Sequence, residues 1–142
     1  MSTSIDSIRD DFAFLDDWED RYRYVVELGE TLPDFPASAQ TDTNKVSGCV
    51  SQVWLLTQAG KGDDPAITYT GTSDAHIVRG LVAILLALFS GKRASEIVAT
   101  DAEAVLRELG LDEHLTPQRS NGLRSMVLRI KRDAENALAK VG

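Results

Sequence analysis

The sequence predicts an α+β domain in which a small antiparallel β-sheet packs against several α-helices. Two stretches of helical periodicity come first, two strand-like stretches separated by a turn follow, and helical periodicity then returns to the end of the chain. The length of 142 residues corresponds to one domain of ordinary size, so we expect a single domain over 1–142. Hydrophobic residues make up 43% and charged residues 26%, which is typical of a globular chain.

The first two predicted elements are amphipathic helices. Apolar residues recur every three or four positions from 5 to 15, and Ser4 precedes them as a suitable N-cap. A second helix is predicted from about 18 to 28, and Gly29 is expected to end it in a left-handed conformation. The periodicity disappears between 32 and 45, where prolines and small polar residues predict a loop.

The predicted sheet follows this loop. Valine, tryptophan and leucine side chains favour a strand over 50–56, and the sequence GKGDDP at 60–65 is typical of a turn. Alternating residues at 66–72 predict a second, antiparallel strand. Because two strands alone are only marginally stable, a short third strand near Val46 would support the sheet.

The most apolar stretch predicts the central core helix, from about 75 to 89. Its apolar side chains cover most of the circumference, and Ser73 or Asp74 is placed to cap it. Gly91 is expected to end this helix, and a short turn is predicted at 95–98.

Two more helices complete the predicted order. A helix capped by Thr100 is predicted as far as Gly110, and a longer one begins at about Ser120, after a turn fixed by Pro117. This places Arg119 beside a helix N-terminus. The arrangement is either a plain turn with a surface arginine, or a cation and a helix end directed at an anion or a thiolate.

The charge of the chain disfavours some classes of partner. A formal net charge of −7 disfavours nucleic acids and anionic membranes, because neutralising phosphates needs a basic surface. The charge is also uneven: residues 6–34 contain ten acids and three bases, whereas residues 119–142 contain six bases and two acids. The two ends are either ordinary solvated helix faces or a polarised surface that steers a protein partner.

The sequence contains no recognisable targeting segment. The N-terminus lacks the basic start and apolar core of a signal peptide. The apolar run at 81–89 is shorter than the roughly 20 residues that a membrane-spanning helix needs. We therefore expect a cytoplasmic protein.

Cys49 is the one cysteine and the one side chain with intrinsic nucleophilic reactivity near neutral pH. A single cysteine excludes an intramolecular disulfide and a CxxC zinc site, and no metal-ligand spacing is evident. Cys49 is either a buried structural cysteine or a reactive thiol at a loop–strand junction, next to the flexible Gly48. A cysteine hydrolase would need His76 or His114 as a base, although both are typical of cap or surface histidines.

The segment around Cys49 resembles the SufE family of cysteine desulfuration proteins. Residues 44–54, NKVSGCVSQVW, are similar to the N-x-V-x-G-C-x-S-x-V-W motif around that family's single cysteine, although Val50 stands where many members have a polar residue. Further matches follow the family's order along nearly the whole chain. They are Trp18–Tyr22, Glu27–Gly29, Leu32–Pro33, Ser73–Ala75, Ile77–Val78, Gly80–Leu81, Leu115–Pro117 and Arg119–Leu123.

The resemblance implies a sulfur carrier with the family's small antiparallel sheet and helices. Cys49 would accept sulfane sulfur from a SufS- or CsdA-like cysteine desulfurase, carry it as a persulfide and pass it to an iron–sulfur scaffold complex. The chain would also stimulate the desulfurase, as an accessory protein rather than an independent enzyme. Pyridoxal phosphate belongs to the desulfurase, so the chain itself would bind no cofactor.

Three residues in the matched segments are expected to support Cys49: Gly48, Asp74 and Arg119. Arg119 would lower the pKa of the thiol or engage the desulfurase. The alternative function is that of a non-covalent adaptor or activator of a partner protein, in which Cys49 is structural.

Overall fold

The computed structural model describes residues 4–49 and 51–139, so the predictions made for Val50 lie outside the described residues. The described chain folds as the α+β class that the sequence predicts. Its helices are α1 (Ile5–Phe14), α2 (Trp18–Glu30), α3 (His76–Phe89), α4 (Ala94–Ala99), α5 (Ala102–Glu108), α6 (Leu111–His114) and α7 (Pro117–Ala139). Its strands are β1 (Val53–Ala59), β2 (Ala66–Ser73) and β3 (Lys92–Arg93).

Within the described residues the sheet is antiparallel and has the strand order β1-β2-β3. The β1–β2 hairpin matches the prediction, with pairing from Val53↔Ser73 to Ala59↔Ile67. The third strand is β3, however, and not a strand near Val46. The segment at Val46 makes only a single bridge to β1, whereas Gly91 (φ +86°) turns the chain after α3 and brings β3 against β2.

Helix α3 is the centre of the core, as its apolar circumference predicts. Nine of its fourteen residues are buried. Along β2, buried residues alternate with more exposed ones, as expected for a strand with one buried face. The hydroxyl of Tyr69 on β2 donates a buried hydrogen bond to the carbonyl of Ile130 on α7 (2.8 Å), which fixes α7 to the sheet. Within 4–49 and 51–139, no helix is both long and apolar enough to cross a membrane.

Helices α2 and α3 meet at two glycines. A Cβ at Gly80 would overlap the backbone carbonyl of Val25, and a Cβ at Gly29 would lie 2.8 Å from the Gly80 nitrogen. The prediction that Gly29 ends the second helix is therefore wrong, because α2 continues to Glu30. Gly29 permits a close approach of two helices rather than a left-handed turn.

The N-cap of α1 is as predicted, because Ser4 accepts a hydrogen bond from the Ser7 backbone (3.1 Å). Two other predicted caps are wrong. The N-cap of α3 is Ala75, so neither Ser73 nor Asp74 caps this helix. The Ser73 hydroxyl accepts from the Ala75 N–H (3.2 Å), and the Asp74 carboxylate accepts from the Gln52 N–H. At α5 the cap is Asp101 rather than Thr100.

The predicted turn at 95–98 is wrong, because these residues belong to α4. His114 is the last residue of α6. Helix α7 begins at Pro117 instead of Ser120, and the Thr116 hydroxyl accepts a hydrogen bond from the Arg119 backbone (3.2 Å). Proline suits the first helical position because its fixed φ is already helical and the N–H there needs no helical partner.

Candidate functional site

Cys49 lies in a short loop that is held at both ends by hydrogen bonds. Upstream, the Val46 N–H donates to the Val53 carbonyl (2.8 Å), and the Leu55 N–H donates to the Asn44 carbonyl (2.8 Å). Downstream, the Gln52 N–H donates to the Asp74 carboxylate. The described residues 47–49 and 51 therefore lie between two fixed points, and we call them the cysteine loop.

One face of α7 lies beneath the cysteine loop. The Cys49 thiol donates to the carbonyl of Gly122, with 3.5 Å between sulfur and oxygen. Gly48 has a φ of +92°, and a Cβ at this position would overlap the hydroxyl of Ser125. Gly48 thus meets two requirements at once, since the left-handed conformation and the close packing both favour glycine.

Arg129, one turn further along α7, holds the segment that leads into the cysteine loop. Its guanidinium donates to the carbonyls of Thr43 (2.7 Å) and Lys45 (3.2 Å). The Asp133 carboxylate accepts from the same guanidinium (3.2 Å) and from the Thr57 hydroxyl (2.8 Å). Helix α7, strand β1 and the upstream segment are joined at this one cluster.

Sequence reasoning missed Arg129. The spacing of Arg129 and Asp133 is that of an ordinary helical ion pair, which is usually a solvated surface contact. Here the Arg129 side chain is only 14% exposed, and its other acceptors lie 84 and 86 positions away in the sequence. The low exposure and the distant acceptors are tertiary features that no local pattern contains.

The Cys49 side chain borders a cavity of about 250 Å³. Arg119 lines the same cavity, as the sequence predicts for a cation near the thiol. The Asp74 carboxylate accepts a hydrogen bond from the Gln52 backbone at the downstream end of the cysteine loop, and Gly48 allows the loop to pack against Ser125. The cavity is lined by Cys49, Ser51, Val78, Leu81, Thr116, Gln118, Arg119, Gly122 and Met126.

Cys49 is half-buried, and this burial raises the pKa of its thiol. The expectation that Arg119 lowers this pKa therefore does not hold in this arrangement, where desolvation sets the direction. At neutral pH the resting side chain is predominantly the protonated thiol, which can donate its hydrogen bond to Gly122.

Neither histidine forms part of this site. The ring of His114 stacks on Trp18, with centroids 4.2 Å apart, and His76 is exposed at the start of α3. Neither residue lines the cavity beside Cys49, so the geometry does not support a cysteine–histidine hydrolase. In the part of the chain that the structure describes, no group of three or more His, Cys, Asp or Glu side chains is arranged to hold a metal ion.

Fold and site together define a small α+β protein that presents one half-buried thiol on a loop fixed at both ends. The family model described as "SufE: Fe-S metabolism associated domain" matches residues 6–134. The chain belongs to the SufE family, and its association is with iron–sulfur metabolism.

Two relatives agree with this assignment, and one solved structure has a similar fold. The chain is 64% identical to an uncharacterized SufE-like protein of Rhizobium meliloti (strain 1021), over 96% of this chain and 98% of that protein. It is 59% identical to an uncharacterized SufE-like protein of Rhizobium etli, over 93% and 90% of the two chains. The fold is similar to the solution structure of a hypothetical protein from Thermus thermophilus, with a TM-score of 0.75, 20% identity and coverage of 95% and 96%.

Proposed function

We propose that Cys49 accepts sulfane sulfur from a cysteine desulfurase, carries it as a persulfide and delivers it to an iron–sulfur scaffold complex in the cytoplasm. The chain acts as an accessory protein that also stimulates the desulfurase. In the transfer step, the Cys49 thiolate attacks the outer sulfur of the donor's persulfide. A new S–S bond forms at Cys49, the donor's S–S bond breaks, and its electron pair leaves on the donor thiolate. The proton lost by Cys49 balances that thiolate, so no external oxidant or reductant is needed.

The observation that carries this proposal is the placement of the single thiol beside a cavity. A volume of about 250 Å³ exceeds the roughly 30 Å³ that one water molecule occupies in the liquid. One additional sulfur atom therefore has space next to Cys49. The chain has no second cysteine that would release the carried sulfur by forming a disulfide.

The raised pKa of the thiol also suits a carrier. A half-buried, protonated Cys49 reacts slowly with stray electrophiles and disulfides, because the thiolate is the reactive form. Transfer then depends on a partner that exposes the cysteine loop or supplies a base. In this proposal Arg119, which lines the cavity, engages the desulfurase, and Asp74 holds the loop closed until the partner binds.

Mass spectrometry of the intact protein tests the proposal. The chain is mixed with a purified pyridoxal-phosphate cysteine desulfurase and free cysteine. We expect a gain of one sulfur atom that a reductant removes and that Cys49→Ser does not show. Arg119→Ala is expected to lower the rate of sulfur loading, and unchanged loading and stimulation would exclude Arg119 from the site.

A non-covalent adaptor is the second candidate function. The half-burial of Cys49 and its hydrogen bond to Gly122 favour it, because both are also typical of a structural cysteine. Under this alternative, Cys49→Ser still stimulates the desulfurase fully and the wild-type chain gains no sulfur. Under the sulfur-carrier proposal, the same variant binds the desulfurase but receives nothing.

A further inference from the structure

Helix α7 exposes an unusual row of side chains next to the cysteine loop. Arg124, Leu128 and Arg132 are four residues apart, so they follow one another along a single side of the helix. All three are exposed, and the Leu128 side chain is 69% accessible to solvent. We call these three residues the α7 ridge.

The α7 ridge adjoins the segment that carries Cys49. Leu128 and Arg132 share a shallow cleft of about 210 Å³ with Val46 and Ser47, which immediately precede Gly48. Ser125 lines the same cleft, and Gly48 packs against it. A protein that reaches the cysteine loop from this side therefore contacts the ridge as well.

Neither arginine of the ridge forms an ion pair within the described residues, although Arg124 lines a cavity together with Glu103 and Asp112. The intervening Arg129, in contrast, is paired with Asp133. The two guanidinium groups flank an exposed leucine on a chain whose net charge is −7. This is the basic end of the uneven charge distribution that the sequence shows.

We infer that the α7 ridge is the docking surface for the protein that donates sulfur to Cys49. The complementary face of that partner is an apolar socket for Leu128 with carboxylates on either side. Arginines and side chains packed into desolvated pockets carry much of the binding energy of protein interfaces, and opposite charges speed association and fix orientation. This inference rests on the proposed function, because it takes the sulfur donor as the partner.

The net negative charge of the chain favours a protein partner over a membrane or a nucleic acid. At physiological salt, charges are screened beyond about 8 Å, so the ridge attracts acidic groups that come into contact with it. A membrane or a nucleic acid is an extended anion that also meets the acidic remainder of the chain. A protein with a local acidic patch avoids that repulsion.

Two sets of variants test the inference with a purified pyridoxal-phosphate cysteine desulfurase as the probe. The ridge set is Leu128→Ala and the double variant Arg124→Glu/Arg132→Glu. The control set is Phe14→Ala, at a side chain that is 84% exposed, and Arg23→Glu, at an arginine that is 72% exposed on α2. All the substituted side chains are exposed, and urea denaturation verifies that each variant is folded.

The first readout is the concentration of this protein that gives half-maximal sulfur loading of Cys49. We expect this concentration to rise at least about tenfold in the ridge set, as for the loss of an interface anchor, and not in the control set. At saturating concentration, and in Cys49 alkylation without a partner, the ridge variants should match the wild type. The charge-reversed variant should also show a weaker dependence on salt.

The second readout does not need sulfur transfer. Cys49→Ser with an intact ridge should compete with the wild-type chain for the desulfurase, and Cys49→Ser with the charge-reversed ridge should not. If ridge and control variants behave alike while the wild type is loaded, the docking inference is wrong and the proposed function stands. If the wild type gains no sulfur, both are wrong. Ridge-dependent binding to phosphatidylserine vesicles, without an effect on loading, would show a membrane surface instead.

Discussion

Asp74, at the junction between β2 and α3, exchanges two hydrogen bonds with Gln52, which immediately precedes β1. The Gln52 N–H donates to Oδ1 of Asp74 at 3.0 Å, and the Asp74 N–H donates to the Gln52 carbonyl at 3.2 Å. One of these bonds depends on the carboxylate and the other on the backbone alone. A substitution of the Asp74 side chain therefore removes one of the two hydrogen bonds that hold the downstream end of the cysteine loop.

Removing the hydrogen bond between the Asp74 carboxylate and the Gln52 backbone should expose Cys49. For Asp74→Ala we expect a loss of about 1 kcal/mol in the closed state of the loop, which corresponds to about a fivefold larger open population. The rate of Cys49 alkylation by iodoacetamide should rise by a similar factor. Asp101→Ala is the matched control, because Asp101 also accepts a backbone hydrogen bond at an exposed position, the N-cap of α5. Equal alkylation rates in the two variants would show that Asp74 does not restrain the loop.

The alkylation of Cys49 should depend on pH in a characteristic way. Burial raises the pKa of this thiol above the ordinary value for cysteine, so the thiolate fraction near neutral pH is reduced. In the folded protein we expect the alkylation rate to increase with pH up to a midpoint above that of an unfolded chain. Measuring the rate from about pH 7 to about pH 10.5, with and without urea, gives both midpoints. A lower midpoint in the folded protein would show that a nearby positive charge outweighs burial.

The same raised pKa has a consequence for stability. Since the folded chain holds the Cys49 proton more tightly than the unfolded chain, this stabilisation is complete below the unfolded pKa and is lost as the pH rises through the folded pKa. Burial also raises the pKa values of Tyr24 and Tyr69, so the wild type alone is not informative. The difference in unfolding free energy between the wild type and Cys49→Ser should therefore decrease with pH in this alkaline window.

Arg129 should be sensitive to substitution, although it lies outside the cysteine loop. Arg129→Ala leaves two backbone carbonyls and the poorly exposed Asp133 carboxylate without this donor, and we expect a loss of about 1.5–3 kcal/mol in unfolding free energy. Arg129→Lys should recover only part of this loss, because an ammonium group lacks the planar fork that reaches several acceptors. Urea denaturation measures the loss.

A change of loop dynamics should accompany the loss of Arg129. Hydrogen exchange of the Val46 and Leu55 amides, which pair the upstream segment with β1, should accelerate more in Arg129→Ala than exchange in α3. Arg132→Ala provides the comparison, since Arg132 is exposed on the same helix. If both variants exchange alike, Arg129 does not hold the segment.

Substitution by alanine should have opposite effects on stability at two buried glycines, Gly122 and Gly80. At Gly122 a Cβ would lie 3.5 Å from the Cys49 sulfur, an ordinary contact, so Gly122→Ala should stabilise α7 by about 0.5–1 kcal/mol. At Gly80 the same atom would overlap the Val25 backbone and force α2 and α3 apart, a cost of about 1–3 kcal/mol or more. Thermal denaturation of both variants distinguishes these outcomes, and a destabilised Gly122→Ala would show that α7 and the cysteine loop approach more closely.

Local sequence patterns predicted most of the elements and fewer of their ends. The apolar circumference of α3 and the alternation in β2 are direct consequences of burial, so they are visible in the sequence. The cap of α3 was not predictable, because Asp74 suits an N-cap equally well in isolation. Its carboxylate binds Gln52 instead, which the chain brings close only through the β1–β2 hairpin.

The candidate site divides in the same way. Cys49 and Gly48 stand out because their residue types are informative, one for its reactivity and the other for its backbone freedom. Arg119 followed from the family resemblance together with a helix end, and the structure brings it to the cavity of Cys49. The support by Gly122, Ser125 and Arg129 was not found, since a carbonyl, a small side chain and a helical arginine carry no distinctive signal.

The contacts beneath the cysteine loop also constrain the length of α7. Gly122, Ser125, Arg129 and Asp133 face the same side, and each holds a different point of the segment or strand above it. Inserting or deleting one residue among them would rotate the remainder of the helix by about 100° and displace it by about 1.5 Å. Substitutions along the outer side of α7 leave this alignment intact. Changes in chain length should therefore be accommodated in the turns, and this stretch of helix should keep its residue count.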